Sequence, residues 1–358
     1  MSASSRDRAL HVLREHLHTV DAGMEAFNPF GSSRWLRHFV EQVVDDRHME
    51  AVVVEADVDG QPALMPLSRD PALPWKMRGL SNYYSSLHSL FHTRVADRSA
   101  AARALVRQLH SEQPGCAVLQ LSPLDEQASD TAAVRAALEQ AGWYTKTYFA
   151  FGNWYLPCQG LPFAEYMKAR DSQLQNTWQR KSRKFKASSD GKARLQIVIL
   201  PGDVTPALDA FEAVYAKSWK NPEPYPNFVR GWADVCAREG WLRLGIAWVD
   251  GVPIAAQFWF TVERRAYIFK LAYDEEYTKW SAGTVLTAHM MRHSLDVDQV
   301  IEIDYLSGDD SYKKSWMSHR RERIGILACN LRSTHGIAAA AREMAATVVR
   351  KWFPRQLA

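Results

Sequence analysis

Glu302 and Asp304 stand two residues apart in the apolar run VIEIDYL, Val300–Leu306. Side chains alternate between the faces of a strand, so both acids point one way and Ile301, Ile303 and Tyr305 the other. Two carboxylates on one side of an apolar strand cost free energy if they are buried without partners. Either proton transfer at a strand end explains that cost, or a structural role does, with Lys313 or a backbone turn as partner. The next stretch, GDDSYKKSW (Gly308–Trp316), adds more polar chemistry. Tyr312 and Trp316 share one face of a short helix, with Lys313 beside them. Asp310 or Ser311 can cap that helix, and Gly308 permits a sharp turn into it. Asp304 or Glu302 is expected to take a proton from an acceptor amine, and Tyr312 or Tyr273 to return one to a leaving thiolate. Lys313, Trp316, Asp309 and Asp310 are expected to contact the acceptor.

A second constellation precedes this one. Ser281-Ala282-Gly283-Thr284 opens a helix expected over about Ala282–Leu295. Ser281 suits an N-cap, and Gly283 leaves the first turn open to close approach. Helix N-termini carry unpaired N–H groups and a partial positive charge, so they suit a phosphate. Lys279 adds a charge nearby. An ordinary capped helix would show the same residues.

These groups need a scaffold, and the chain spells it twice. Val53–Ser68 (VVEADVDGQPALMPLS) and Leu244–Phe260 (LGIAWVDGVPIAAQFWF) each read as strand, Asp-Gly turn and strand. Asp-Gly favours the tight turns of hairpins. Each is followed by strand, helix, strand, helix, strand. The last strands are expected at Trp143–Phe151 and Arg323–Asn330. The fold class is therefore α/β (α+β): tandem units, each a mixed, mainly antiparallel sheet flanked by helices. We place the first domain at 1–157, the second at 158–335 and a C-terminal helix at 336–358, with the junction in the Pro/Gly-rich LPCQGLP. The first unit's counterpart helix opens Asp97-Arg98-Ser99-Ala100, with no glycine and an acid that repels phosphate. Only the second unit is expected to hold a pyrophosphate.

The 358 residues are 47% hydrophobic and 23% charged, which is globular, with a formal charge of only +4. Dedicated nucleic-acid binding usually needs a stronger imbalance. The four cysteines are scattered without a CxxC pair, which disfavours a disulfide framework and fits a reducing cytoplasm. No run approaches a membrane span, and the N-terminus lacks the apolar core of a signal peptide. A soluble, cytoplasmic protein is expected. P-loop, dinucleotide, zinc-hydrolase and nucleophile-elbow motifs are missing, and no metal is expected. QNTWQRKSRKFK packs five basic residues into Arg180–Lys186, as a solvated helix face, a nucleic-acid arm or a surface for an anionic substrate.

At Val249–Phe260, Lys270–Leu286 and Ile303–Met317 the chain resembles the GNAT superfamily in its duplicated form. More narrowly it resembles the BioF2-like, CelD-type acetyltransferases of bacterial polysaccharide operons, relatives of the Fem aminoacyl transferases. The resemblance implies acetyl-CoA or another acyl-CoA as donor, its pyrophosphate at Ser281, Ala282, Gly283, Thr284 and Lys279. It implies a small-molecule or glycan-precursor acceptor bearing an amine or hydroxyl. This loop departs from the fuller Gln/Arg-x-x-Gly-x-Gly/Ala pattern of ordinary members. A Fem-like enzyme using aminoacyl-tRNA, or a non-catalytic scaffold of a polysaccharide system, are the alternatives.

Overall fold

A computed structural model describes residues 4–21, 28–187 and 192–352. The strands are β1 (Glu50–Val58), β2 (Gln61–Arg69), β3 (Lys76–Gly79), β4 (His92–Thr93), β5 (Val118–Asp125) and β6 (Trp143–Pro157). They continue with β7 (Arg194–Val198), β8 (Leu242–Val249), β9 (Val252–Val262), β10 (Arg265–Tyr273), β11 (Glu302–Asp304) and β12 (His319–Asn330). The helices used below are α1 (Ser33–Val43), α2 (Arg98–Glu112), α3 (Ser129–Gln140), α4 (Ser172–Ala187) and α5 (Val204–Ala216). After them come α6 (Phe228–Arg238), α7 (Ala282–Arg292), α8 (Ser311–Trp316) and α9 (Thr334–Trp352). Residues 353–358 of the expected C-terminal helix lie outside the described residues. The chain forms two compact units, residues 1–151 with 322–358, and residues 152–321.

Both Asp-Gly turns form as read. Asp59 (φ 53°) with Gly60 (φ 78°), and Asp250 (φ 50°) with Gly251 (φ 80°), give positive φ at both central positions. That conformation matches the twist of the flanking strands, so β1–β2 and β8–β9 close as two-residue hairpins. In the first unit β2 then pairs antiparallel with β3, and β3 runs parallel to β5. In the second unit β9 pairs antiparallel with β10, and β10 runs parallel to β11. A parallel step needs a crossover, which α2 supplies in one unit and α7 in the other. β7 adds an antiparallel edge to β8. The repeat is real, and the sheets are mostly antiparallel.

The closing strands differ from the sequence expectation. Arg323–Cys329 of β12 pair with β5 in the first unit. Tyr155, Leu156 and Pro157 of β6 pair with Asp304, Ile303 and Glu302 of β11 in the second. β6 runs for 15 residues, past its expected end at Phe151, and so supplies the second unit's pairing, while the strand expected to close the second unit pairs in the first. The strand that follows the first hairpin, β3, is short and stops at Gly79.

Each core follows its periodicities. Leu105, Leu109, Val134 and Leu138 of α2 and α3 bury against Leu119, Leu121 and Ile326 in the first unit. In the second, Val285, Leu286, Met290 and Met291 of α7 bury against Ile254, Trp259 and Ile268. Each such side chain contributes about 1.5–3 kcal/mol. Ser32 caps α1, its Oγ accepting from Trp35 N at 3.2 Å. Among the described residues no helix is long and apolar enough to cross a membrane.

Candidate active site

β10 and β11 pair only from Arg265–Tyr267 to Glu302–Asp304. β11 ends at Asp304, whereas β10 runs on to Tyr273, with a register shift between Ile268 and Lys270. The second unit's two parallel strands therefore part. Asp304 itself ends β11: its Oδ1 accepts from Leu306 N at 2.6 Å, and Leu306 takes the left-handed region at φ 56°.

Glu302 and Asp304 share a face, as the alternation requires, and they meet one guanidinium. Arg321 donates through Nη2 to Asp304 Oδ2 at 2.5 Å and Glu302 Oε1 at 2.9 Å. Its Nε donates to Asn153 Oδ1 at 2.6 Å, and Asn153 Nδ2 returns a 2.6 Å bond to Asp304 Oδ1. Arg321 also lies over the Tyr155 ring, 4.2 Å from its centroid. Of the two structural partners the sequence had suggested, Lys313 or a backbone turn, the turn is present at Leu306 N, and the charged partner is Arg321 in place of Lys313.

Lys313 is buried instead under its own loop. Its Nζ donates to the carbonyl oxygens of Ser307 (2.5 Å) and Gly308 (3.3 Å) and sits 3.3 Å from Asp310 Oδ2. Burial holds this amine below its usual value, with Asp310 opposing the shift. Asp310 occupies the N-cap position of α8 without capping through its side chain. Asp309 accepts from Arg320 Nη2 and Trp154 Nε1, each at 2.7 Å, and the Arg320 bond chiefly lowers its carboxyl. Trp316 is buried, and its carbonyl accepts from Tyr166 OH at 2.7 Å. Tyr312, four residues earlier, remains 45% exposed and edge-on to Tyr305. Partial burial, with Asp310 adding repulsion, pushes its phenol up to about 12.

At the other strand's end the chain enters α7. Ser281 does not cap by its side chain. It sits at φ 49°, ψ 42°, where the side chain cannot reach back as a cap in extended backbone does. Its carbonyl accepts from Val285 N at 3.2 Å. Ala282, Gly283 and Thr284 supply first-turn N–H groups, which a helix leaves without acceptors of its own. A Cβ on Gly283 would meet only the Tyr273 ring, at 3.6 Å. Gln257 ties this helix start to β9, donating to Gly283 O (3.3 Å) and Thr287 Oγ1 (2.7 Å). Tyr273 packs against Trp219, centroids 4.6 Å apart. Lys279 is exposed, and its carbonyl accepts from Lys184 of α4 at 3.5 Å. The basic helix α4 therefore flanks the loop that leads into α7. First-turn amides, an uncovered glycine and amines on two elements fit a pyrophosphate.

Sequence reasoning missed a polar group on the α5 face. Lys270 Nζ and Tyr215 OH both donate to Glu223 Oε1 at 2.5 Å. Burial lowers Lys270, while the Glu223 bond opposes the shift. Lys220 stands beside them, over Trp219 at 5.6 Å. A lysine within the apolar YIFKLAY was the one available signal. Glu223 lies in a proline-rich loop without periodicity, Asn153 in a strand expected to end earlier, and Arg321 far along the chain.

Residues 172–314 match the family model of the acetyltransferase (GNAT) domain. The matched residues all lie within the second unit, residues 152–321. The chain is similar in fold to FemX, with 10% identity over 92% of this chain and 97% of that one, TM-score 0.60. It is also similar to L-PGS from Bacillus licheniformis, with 10% identity over 98% and 99% of the two chains, TM-score 0.55. A comparison with curated proteins found no match.

Proposed function

We propose that the second unit is an acyltransferase, moving the acyl group of acetyl-CoA or another acyl-CoA to an amine or hydroxyl. The acceptor class is a sugar or other precursor of a cell-envelope polysaccharide, as in the CelD-type group. The parting of β10 from β11 beside the open start of α7 carries the reading. A thioester inserted between the strands would place its diphosphate on Ala282, Gly283 and Thr284, with Ser281 turning the chain and Lys279 and Lys184 adding charge. Tyr273, against Gly283, is suited to protonate the departing thiolate, and Tyr312 is the second candidate. The acceptor approaches from the α5 face, where Glu223 and Lys270 hold its reacting group. Asp304 and Glu302 act through position: both are held on Arg321, and Asp304 also binds the Leu306 amide, so the pair fixes the turn that opens the strands. Lys313, Asp309, Asp310 and Trp316 shape the acceptor wall by holding the loop over it.

Calorimetry with acetyl-CoA, followed by thiol release in the presence of candidate acceptors, tests this. Saturable binding and acceptor-dependent thiol release are expected; no heat and no protection by CoA would overturn it. One observation favours the aminoacyl-tRNA alternative: the basic face of α4 flanks the donor loop. Transfer from charged tRNA that RNase abolishes would establish that reading instead.

A further inference from the structure

We propose that the first unit holds its own binding site, for a small molecule that joins an anionic group to a planar ring. The site is a cavity of about 490 Å³ between α9 and the sheet, lined by residues of the first unit alone. Its lining joins aromatic rings (Trp75, Tyr148, Phe149) to cations (Lys76, Lys146, Arg342), with Glu343 as its single acid.

The charges do not cancel. Lys146 takes Glu343, Nζ to Oε2 at 3.2 Å, and also donates to Thr347 Oγ1 at 2.6 Å, which ties α9 to β6. Among the described residues no carboxylate pairs with Lys76 or Arg342. Burial lowers the Lys76 amine, and the charges of Arg78 and Arg342 lower it further. Like charges gathered round a concavity raise the energy of the empty protein, and an anion relieves that repulsion with charge-assisted hydrogen bonds.

The aromatic floor is built rather than incidental. Tyr148 lies so close over Gly325 of β12 that any side chain there would strike the ring, and its OH accepts from Gln120 Nε2 at 2.9 Å. Trp75 is fixed by stacking on His335, centroids 5.2 Å apart and planes 19° apart. Phe149 stays 54% exposed at the rim. Held rings offer a planar ligand a surface with little ordering cost, and the cations fix its charged end.

Calorimetric titration of the full chain with phenyl phosphate, inorganic phosphate and phenol tests this. Phenyl phosphate should bind at least tenfold more tightly than either fragment. Lys76→Glu with Arg342→Glu should weaken phenyl phosphate at least tenfold, and Phe149→Ala should weaken phenyl phosphate but not phosphate. Acetyl-CoA binding to the second unit should survive all three changes. If the double variant misfolds, the exposed Arg342→Gln alone should still weaken phenyl phosphate several-fold. Equal affinity for phenyl phosphate and phosphate, or full retention in a folded charge variant, would overturn the proposal. Failure of acetyl-CoA to bind would leave this site untouched, since the two share no residue.

Discussion

Arg321 Nη2 lies 2.5 Å from Asp304 Oδ2, at the point where β11 stops and β10 continues. Asp304 spends its acceptor capacity on Arg321, Asn153 and the Leu306 amide. Opposite charges fix the end of a strand, and the end of that strand defines the opening.

Removing the guanidinium leaves a buried carboxylate without its counter-charge. Arg321→Ala should therefore destabilise the protein by about 3–5 kcal/mol. Asp304→Asn keeps the shape and should cost less. Urea unfolding of both variants checks the order; an Arg321→Ala protein as stable as the parent would show that the pair does not hold the turn.

Gly283 separates stability from donor binding. Aspartate in the first turn of a helix favours the helix, yet it opposes a phosphate at the same place. Gly283→Asp should melt at or above the parent temperature while binding acetyl-CoA at least tenfold more weakly. Equal affinity would remove the diphosphate from this turn.

Tyr273 and Tyr312 compete for one role. If Tyr273 protonates the thiolate, Tyr273→Phe should lower kcat about 100-fold with little change in KM for the donor, and Tyr312→Phe should change kcat by less than about threefold. The reverse pattern reassigns the proton to Tyr312.

The first unit should be acid-sensitive through two buried histidines. Burial foremost lowers His88 to about 3 and His92 to about 4. Their folded values lie below the unfolded value near 6.5, so below that pH the unfolded chain binds protons that the folded one refuses. Stability is fully present above about pH 6.5 and falls as pH drops toward 4, by about 1.4 kcal/mol per pH unit for each histidine. Unfolding free energies from pH 7 to 4 measure the slope, and His92→Gln should reduce it by about half. A flat profile would show that neither ring resists protonation.

The residues themselves settled the hairpins, the helices and the duplication. Those depend on local rules: Asp-Gly at positive φ, serine caps and apolar spacing operate within a few residues. The same-face placement of Glu302 and Asp304 was legible for that reason. Their partner was not, because Arg321 and Asn153 reach them from distant parts of the chain. Ser281 looked like a cap by residue type, and only its backbone angles decided otherwise. The exchange of closing strands, the Lys270–Glu223 contact and the charged cavity of the first unit also belong to the tertiary structure. Pairing energy depends on which segments meet in space, and strand length and long-range packing fix that after local preferences have been met.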